Sequence, residues 1–418
     1  MLSIIKTLLM TISILVIAMS LCSCVPGIKN VRILCIDNEN LTIRKITLRK
    51  PHNDSLFVAN HKFEELLLCI GKTNGHIYTI TCDDSCKYCY VNVYNRDGEF
   101  IKQHRIPYIE RWYFNTLMGF AGERECIVYA NCTGREIPYS QPSSFQYYSS
   151  VNIIDINTGK EETIIADNDN YASDYSIHKF DADTLIITDS TCPRNLKSAQ
   201  ISDERIWRNY AKSCVEHLIV YDVKNDKVLG KFKSMDNERM KIDKYSVFSP
   251  KGLFWFETQL YNSNWDFIKS YFYEFELDGV TLTQKINGMP TYFSGKDLIV
   301  LSILSKQKDE YLFIAGAQYK SSYLGKYSIA SNNVVLKELT FGHDSKKISV
   351  SGEYASCSRL GLHLVTNDLP PNFFWHKEEY RVYDYDLKLL QKFPISSFFL
   401  PLGHMTEGSF FYYAYYFW

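Results

Sequence analysis

From residue 31 onward the chain is a succession of short runs in which apolar and polar residues alternate, broken by clusters of Asn, Asp and Gly. Period-two alternation gives a strand one inward face, and residues that tolerate positive φ close hairpins. One hairpin unit recurs, at Val91–Gly98, Val151–Gly159 and Leu218–Asp226, with weaker copies at Tyr271–Gly279, Tyr323–Asn332 and Tyr380–Asp386. Subtracting the starts 91, 151, 218, 271, 323 and 380 in turn gives intervals of 60, 67, 53, 52 and 57, which suit a four-stranded repeat. Two further strands lie between hairpins: Phe63–Ile70 with Ile77–Cys82, Asn115–Phe120 with Cys126–Cys132, and Ser176–Phe180 with Thr184–Asp189. With the strands of a repeat named A to D, Arg32–Lys50 supplies only C and D, and Ser397–Trp418 only A and B. Pairing the two ends removes open sheet edges. The expected fold is all-β: one β-propeller of four-stranded antiparallel blades over residues 31–418. The count is seven blades with the joined ends included, or six if Arg32–Lys50 yields a single strand or a weak copy is a decoration.

The first residues differ in kind. Lys6 precedes an apolar run from Leu8 to Met19, too short to span a bilayer comfortably, followed by small and polar residues, which is the build of a secretory signal over 1–23. Leu21-Cys22-Ser23-Cys24 resembles the lipobox of bacterial lipoproteins, with Leu at −3, Ser at −1 and Cys24 at +1; Cys22 at −2 departs from it. The resemblance implies that Cys24 is lipidated and that residues 24–30 form a linker. Each buried CH₂ of such chains contributes ~0.8 kcal/mol, so this anchor would hold the protein at a membrane. Val25 at +2 implies an outer-membrane, cell-envelope location under the sorting rule of enteric bacteria. Phe248-Ser-Pro-Lys-Gly-Leu-Phe-Trp-Phe256 resembles the Phe-Ser-Pro-Asp-Gly turn of TolB-like and WD40-like propeller repeats, with Lys251 in place of Asp. Taken together, the chain is similar to the lipid-anchored propeller proteins of Bacteroidetes, a likeness that implies a fold rather than an activity.

Composition narrows the partners. Lys plus Arg at 46 against Asp plus Glu at 47 leaves a net charge of −1 and no field to hold a phosphate backbone, so nucleic acid is not expected. The 31 Tyr and 25 Phe favour pleated surfaces. Cys82-Asp-Asp-Ser-Cys86-Lys-Tyr-Cys89 matches the spacing of radical SAM enzymes, whose three thiolates ligate an iron–sulfur cluster. Here, however, the motif joins two alternating strands in an exported chain, which reads as a B-to-C loop. The 10 His show no paired metal spacing, and no nucleophile elbow or phosphate loop occurs, so neither metal nor cofactor is expected. Of 12 Cys, setting aside Cys22 and Cys24 leaves ten, whose pairing the sequence leaves open; Cys126 and Cys132 share one strand face and are ill placed to bond each other.

The long insertions fall between strands B and C: Cys132–Ser150, Ser190–Cys214, Thr258–Lys269 and Thr366–Glu379. They carry Tyr139, Tyr147, Tyr148, Tyr261, Trp265, Phe374, Trp375 and His376, the candidate ligand-binding residues. Wide rings on loops over a rigid scaffold offer contact area at low entropy cost. The competing reading is that these rings cap their own blades. The expected function is a binding or scaffolding module for a protein, peptide or glycan; the alternative is a propeller-type polysaccharide hydrolase or lyase.

Overall fold

The computed structural model describes residues 31–37, 42–49, 66–71, 74–82, 87–109, 117–136, 145–193, 212–241, 252–279, 281–316, 322–341, 346–357, 361–368, 378–395, 399–401 and 409–414. Their strands form a β-propeller. The signal segment, Cys24 and its linker lie outside the described residues.

The chain opens with β1 (Val31–Asp37) and β2 (Thr42–Leu48), the hairpin expected at Arg32–Lys50. Blade one is β3 (Leu66–Ile70), β4 (Ile77–Cys82), β5 (Tyr88–Tyr94) and β6 (Phe100–Pro107). Blade two is β7 (Leu117–Ala121), β8 (Glu125–Glu136), β9 (Phe145–Asp155) and β10 (Glu161–Ala166). Blade three is β11 (Tyr171–Lys179), β12 (Thr184–Pro193), β13 (Val215–Asp222) and β14 (Lys227–Lys233). Blade four is β15 (Glu238–Lys241), β16 (Leu253–Tyr261), β17 (Phe267–Asp278) and β18 (Thr281–Ile286). Blade five gains a short inner strand, β19 (Tyr292–Phe293), before β20 (Leu298–Gln307), β21 (Glu310–Gly316), β22 (Ser322–Ser328) and β23 (Asn333–Glu338). Blade six likewise runs β24 (Thr340–Phe341), β25 (Lys346–Cys357), β26 (Leu362–Asp368), β27 (Glu378–Tyr383) and β28 (Leu389–Ile395). The chain ends with β29 (Phe399–Pro401) and β30 (Ser409–Ala414).

Among the described residues, blades built from consecutive strands therefore number six rather than seven. The reason is that the two chain ends supply only two strands each. Those four strands meet in a further sheet of order β2-β1-β30-β29, antiparallel throughout, with Ile33 opposite Tyr413. This sheet touches blade one where the Arg49 N–H donates to the Gly98 carbonyl at 2.7 Å. Gly98 closes the β5–β6 turn at φ 82°, and a Cβ there would lie 2.2 Å from the Thr47 carbonyl. Gly98→Ala is accordingly expected to cost about 2 kcal/mol and to weaken the seating of β2, read as faster amide exchange at Ile46 and Leu48.

The core lies between blades. Alternate residues of each strand face opposite neighbours, so every apolar cluster straddles a junction. Ile186, Leu218 and Val220 of blade three meet Phe254, Phe256, Tyr273 and Phe275 of blade four. Ile187, Ile219 and Tyr221 on the other face meet Val128, Val151 and Ile153 of blade two. Phe275 packs against both Phe232 and Phe254, with ring centroids 5.2 Å apart in each pair. Each such ring contributes about 2–3 kcal/mol by burial, which makes neighbouring blades interdependent. The expected Phe-Ser-Pro-Lys-Gly turn enters the description at Gly252, whose φ of 78° and 2.5 Å separation from the Leu277 carbonyl leave no room for a side chain.

Candidate functional site

Strands B and D end, and strands C and A begin, at one end of the propeller, which therefore carries the B-to-C connections and the links between blades. On blade four that end is a hairpin rather than the expected loop insertion. β16 and β17 continue to Tyr261 and Phe267, joined by a turn in which the Asn262 carboxamide oxygen accepts the Asn264 and Asp266 N–H groups. Blade two does the same, pairing Glu136 with Phe145, so much of Cys132–Ser150 is strand.

Trp265 sits in this turn at φ 64°, a left-handed conformation costly for a large residue. That geometry folds the ring back onto the blade. Tyr261 stacks on it at 4.9 Å and the Arg239 guanidinium lies 4.5 Å from its centre, leaving Trp265 7% exposed. Trp265 is thus a capping ring as the structure stands, not the exposed contact the sequence reading assigned. The rings exposed at this tip are others: Phe267 at 57% and, beside it, the Ile268 side chain at 52%, with Met235 at 57% on the link from blade three. Tyr148 is half-buried and donates to Asp169 at 2.8 Å. Tyr147 has a described position in β9, opposite Gly134, on the same end. Tyr139, Phe374, Trp375 and His376 lie outside the described residues. The structure therefore brings Tyr261 and Trp265 together and places Tyr148 on another blade.

Beneath Trp265 lies a polar junction that the sequence reading missed. Glu216 on β13 points toward blade four, and its carboxylate accepts the Met240 N–H of β15. Burial pushes its pKa up to about 7, opposed by the Met240 bond and Arg239 and reinforced by Asp189 and Glu238. Glu238, wholly buried, accepts hydrogen bonds from the Tyr271 and Tyr273 hydroxyls and the Met235 N–H. Arg239 reaches back to the Cys214 carbonyl at 2.7 Å. On the opposite face of β13, His217 Nδ1 and Asp189 Oδ1 are 2.7 Å apart in a cross-strand pair, which fixes the imidazole orientation. Next to them the Cys192–Cys214 disulfide closes the mouth of the Ser190–Cys214 insertion. One signal for these residues was legible: Glu216 occupies an inward position of the alternation that continues with Leu218 and Val220.

Two cysteines of the motif stand in ordinary strand pairing. Cys82 stands opposite Cys89 across β4 and β5, and Cys89 is fully buried, its sulfur accepting the Ile109 N–H at 3.3 Å. Cys86 lies outside the described residues. Cys126 is likewise a buried thiol, pushed by burial up to about 12. Among the described residues no cluster of three His, Cys, Asp or Glu is arranged to hold a metal ion.

No family model and no curated protein sequence matches the chain. Solved structures do resemble it at the level of fold. Prolyl oligopeptidase B from Galerina marginata matches with a TM-score of 0.44 and 10% identity, over 88% of this chain and 52% of that one. The β-propeller domain of the Trilobed protease from Pyrococcus furiosus gives 0.38 and 9%, over 80% and 84%. TolB from Acinetobacter baumannii gives 0.29 and 10%, over 78% and 65%. Against the longer peptidases the chain spans about half their length.

Proposed function

We infer that this protein is an exported, lipid-anchored β-propeller that binds a protein, peptide or glycan at its B-to-C end. The observation that carries the reading is a division of labour at that end. The buried carboxylates are spent on the fold, Glu216 on joining blades three and four and Glu238 on tying β15 to β17 within blade four, whereas Met235, Phe267 and Ile268 are exposed beside them. Exposed apolar side chains grouped on a rigid tip suit recognition more than chemistry. The Cys192–Cys214 disulfide supports export, because reducing compartments keep thiols apart. Cys24 is the proposed lipidation site and an outer-membrane, cell-envelope location the proposed destination.

The test uses the full chain, immobilised and probed with a glycan array and a peptide library. Ligands captured by the native protein should be lost in a Phe267→Ser, Ile268→Ser double variant; ligands retained by that variant would place binding elsewhere. In cells, Cys24→Ala should abolish palmitate incorporation and release the protein from membranes.

One observation favours the second reading, a polysaccharide hydrolase or lyase. Asp189 orients His217 as an acid–base catalyst requires. Under that reading His217→Ala stops release of new chain ends from a bound polysaccharide while leaving capture intact.

A further inference from the structure

We propose that the junction of blades three and four is a proton-controlled clasp: protonated Glu216 keeps Trp265 sheltered inside the fold, and ionised Glu216 opens the joint and presents the ring at the B-to-C end. The proposal rests on the reading of that end as the binding face and gives it a regulator.

The argument starts from charge. Glu216 is 6% exposed. Among the described residues its carboxylate receives one hydrogen bond, from the Met240 N–H across the junction. The Ser234 hydroxyl on the link accepts the Glu216 backbone N–H. From β12 the neighbouring charge is Asp189, paired with His217. From β15 come Glu238 and Arg239, and β17 supplies the Tyr271 and Tyr273 hydroxyls, both directed at Glu238. From β16 comes Thr258, fully buried, with a hydroxyl that has no hydrogen-bond partner among the described residues. Lys233 on β14 stands opposite His217, on the far face of blade three, and His178 on β11 bonds Thr188. The cation nearest Glu216 is thus Arg239, and its guanidinium donates to the Cys214 and Glu238 carbonyls and lies over Trp265.

A buried carboxylate in such company holds its proton to near neutrality, in keeping with the upward shift to about 7. Once ionised it needs solvent or a cation. Water drawn between the blades, with Thr258 as a ready partner, separates β13 from β15. The Arg239 guanidinium is anchored across the junction at the Cys214 carbonyl of blade three, so the same movement draws it from the Trp265 ring of blade four. Trp265 then keeps its stack on Tyr261 but loses the guanidinium that lies over its ring.

The experiment is acrylamide quenching of the full chain from pH 5.5 to 8.5, with the Trp265 contribution isolated by subtracting Trp265→Phe. We expect a rise of at least threefold in quenching, centred near pH 7, that is absent in Glu216→Gln and persists in His217→Gln. A flat native profile, or a transition that survives in Glu216→Gln, overturns the clasp. Should Glu216→Gln fold poorly, amide exchange in the native protein decides: a protection factor at Met240 that falls at least tenfold from pH 6 to pH 8 supports it, and a constant one overturns it. Neither readout needs a ligand, so failure here leaves the binding reading standing, and loss of all capture by the native protein would sink that reading alone.

Discussion

Glu274→Leu is expected to destabilise the protein by about 4 kcal/mol, read from urea unfolding at pH 7. Glu274 on β17 is 1% exposed and ties blade four to blade five. It accepts from Trp255 Nε1 at 3.0 Å within its own blade, and from Lys306 at 2.9 Å and Tyr311 at 2.7 Å in the next. Removing the carboxylate leaves Lys306 beside a buried hydroxyl without its counter-charge, the costly half of a broken buried pair. Adding Lys306→Met should recover part of the loss, and the size of that recovery measures the coupling. The pH dependence follows. Burial alone would raise the Glu274 pKa, but bonds from Lys306, Trp255, Tyr311 and Lys285 outweigh it and hold the group at about 2 against an ordinary 4.5. The folded form thus binds its proton less readily than the unfolded form. Its contribution, about 3 kcal/mol, is full above pH 4.5 and lost as pH falls through 2. A Glu274→Gln variant should lack that acid-side decline, and a variant whose stability still fell in parallel with the native protein would assign the decline to other carboxylates.

Two glutamates of similar burial thus differ in what surrounds them. Glu274 has two ammonium groups and two neutral donors. Glu216 has one backbone donor, a single guanidinium nearby and two acidic neighbours. Their pKa values move in opposite directions for that reason, and no feature of a single strand's sequence distinguishes them. Both stand in strands at buried positions where an apolar residue is expected to face the core.

What was legible in the sequence has the same origin. Alternation and turn residues are local, so every recurrent hairpin from Val91 to Asp386 appears where it was expected, and the expected strands Ile77–Cys82 and Thr184–Asp189 fall inside β4 and β12. The meeting of the chain ends followed from counting incomplete units, and β1 does pair with β30. The side chains at the B-to-C end were less legible because they depend on contacts between blades. An aromatic residue in a turn reads as exposed until its backbone is known; Trp265 turns inward because a left-handed residue redirects its ring toward Arg239, which comes from a different strand. Phe267 and Ile268 carry the same composition signal and remain outside.

Replacing both Cys192 and Cys214 by Ser is expected to lower stability by about 3 kcal/mol, because the bond closes a loop of 22 residues that the unfolded chain would otherwise leave open. The effect should also be local. Cys214 immediately precedes β13, and its carbonyl is the anchor of Arg239, so the double variant loosens the Trp265 clamp as well as the loop mouth. Reductant added to the native protein should reproduce the variant's unfolding midpoint and leave the variant itself unchanged. Protein made in a reducing cytosol should start with the variant's midpoint and gain the native one on oxidation. If native and variant midpoints coincide under oxidising conditions, the bond contributes nothing to the fold, and export loses its strongest structural support. If the midpoints differ while Trp265 quenching at pH 6 is the same in both, the loop mouth and the clasp are independent, and Arg239 is held by Trp265 and Glu238 without help from Cys214.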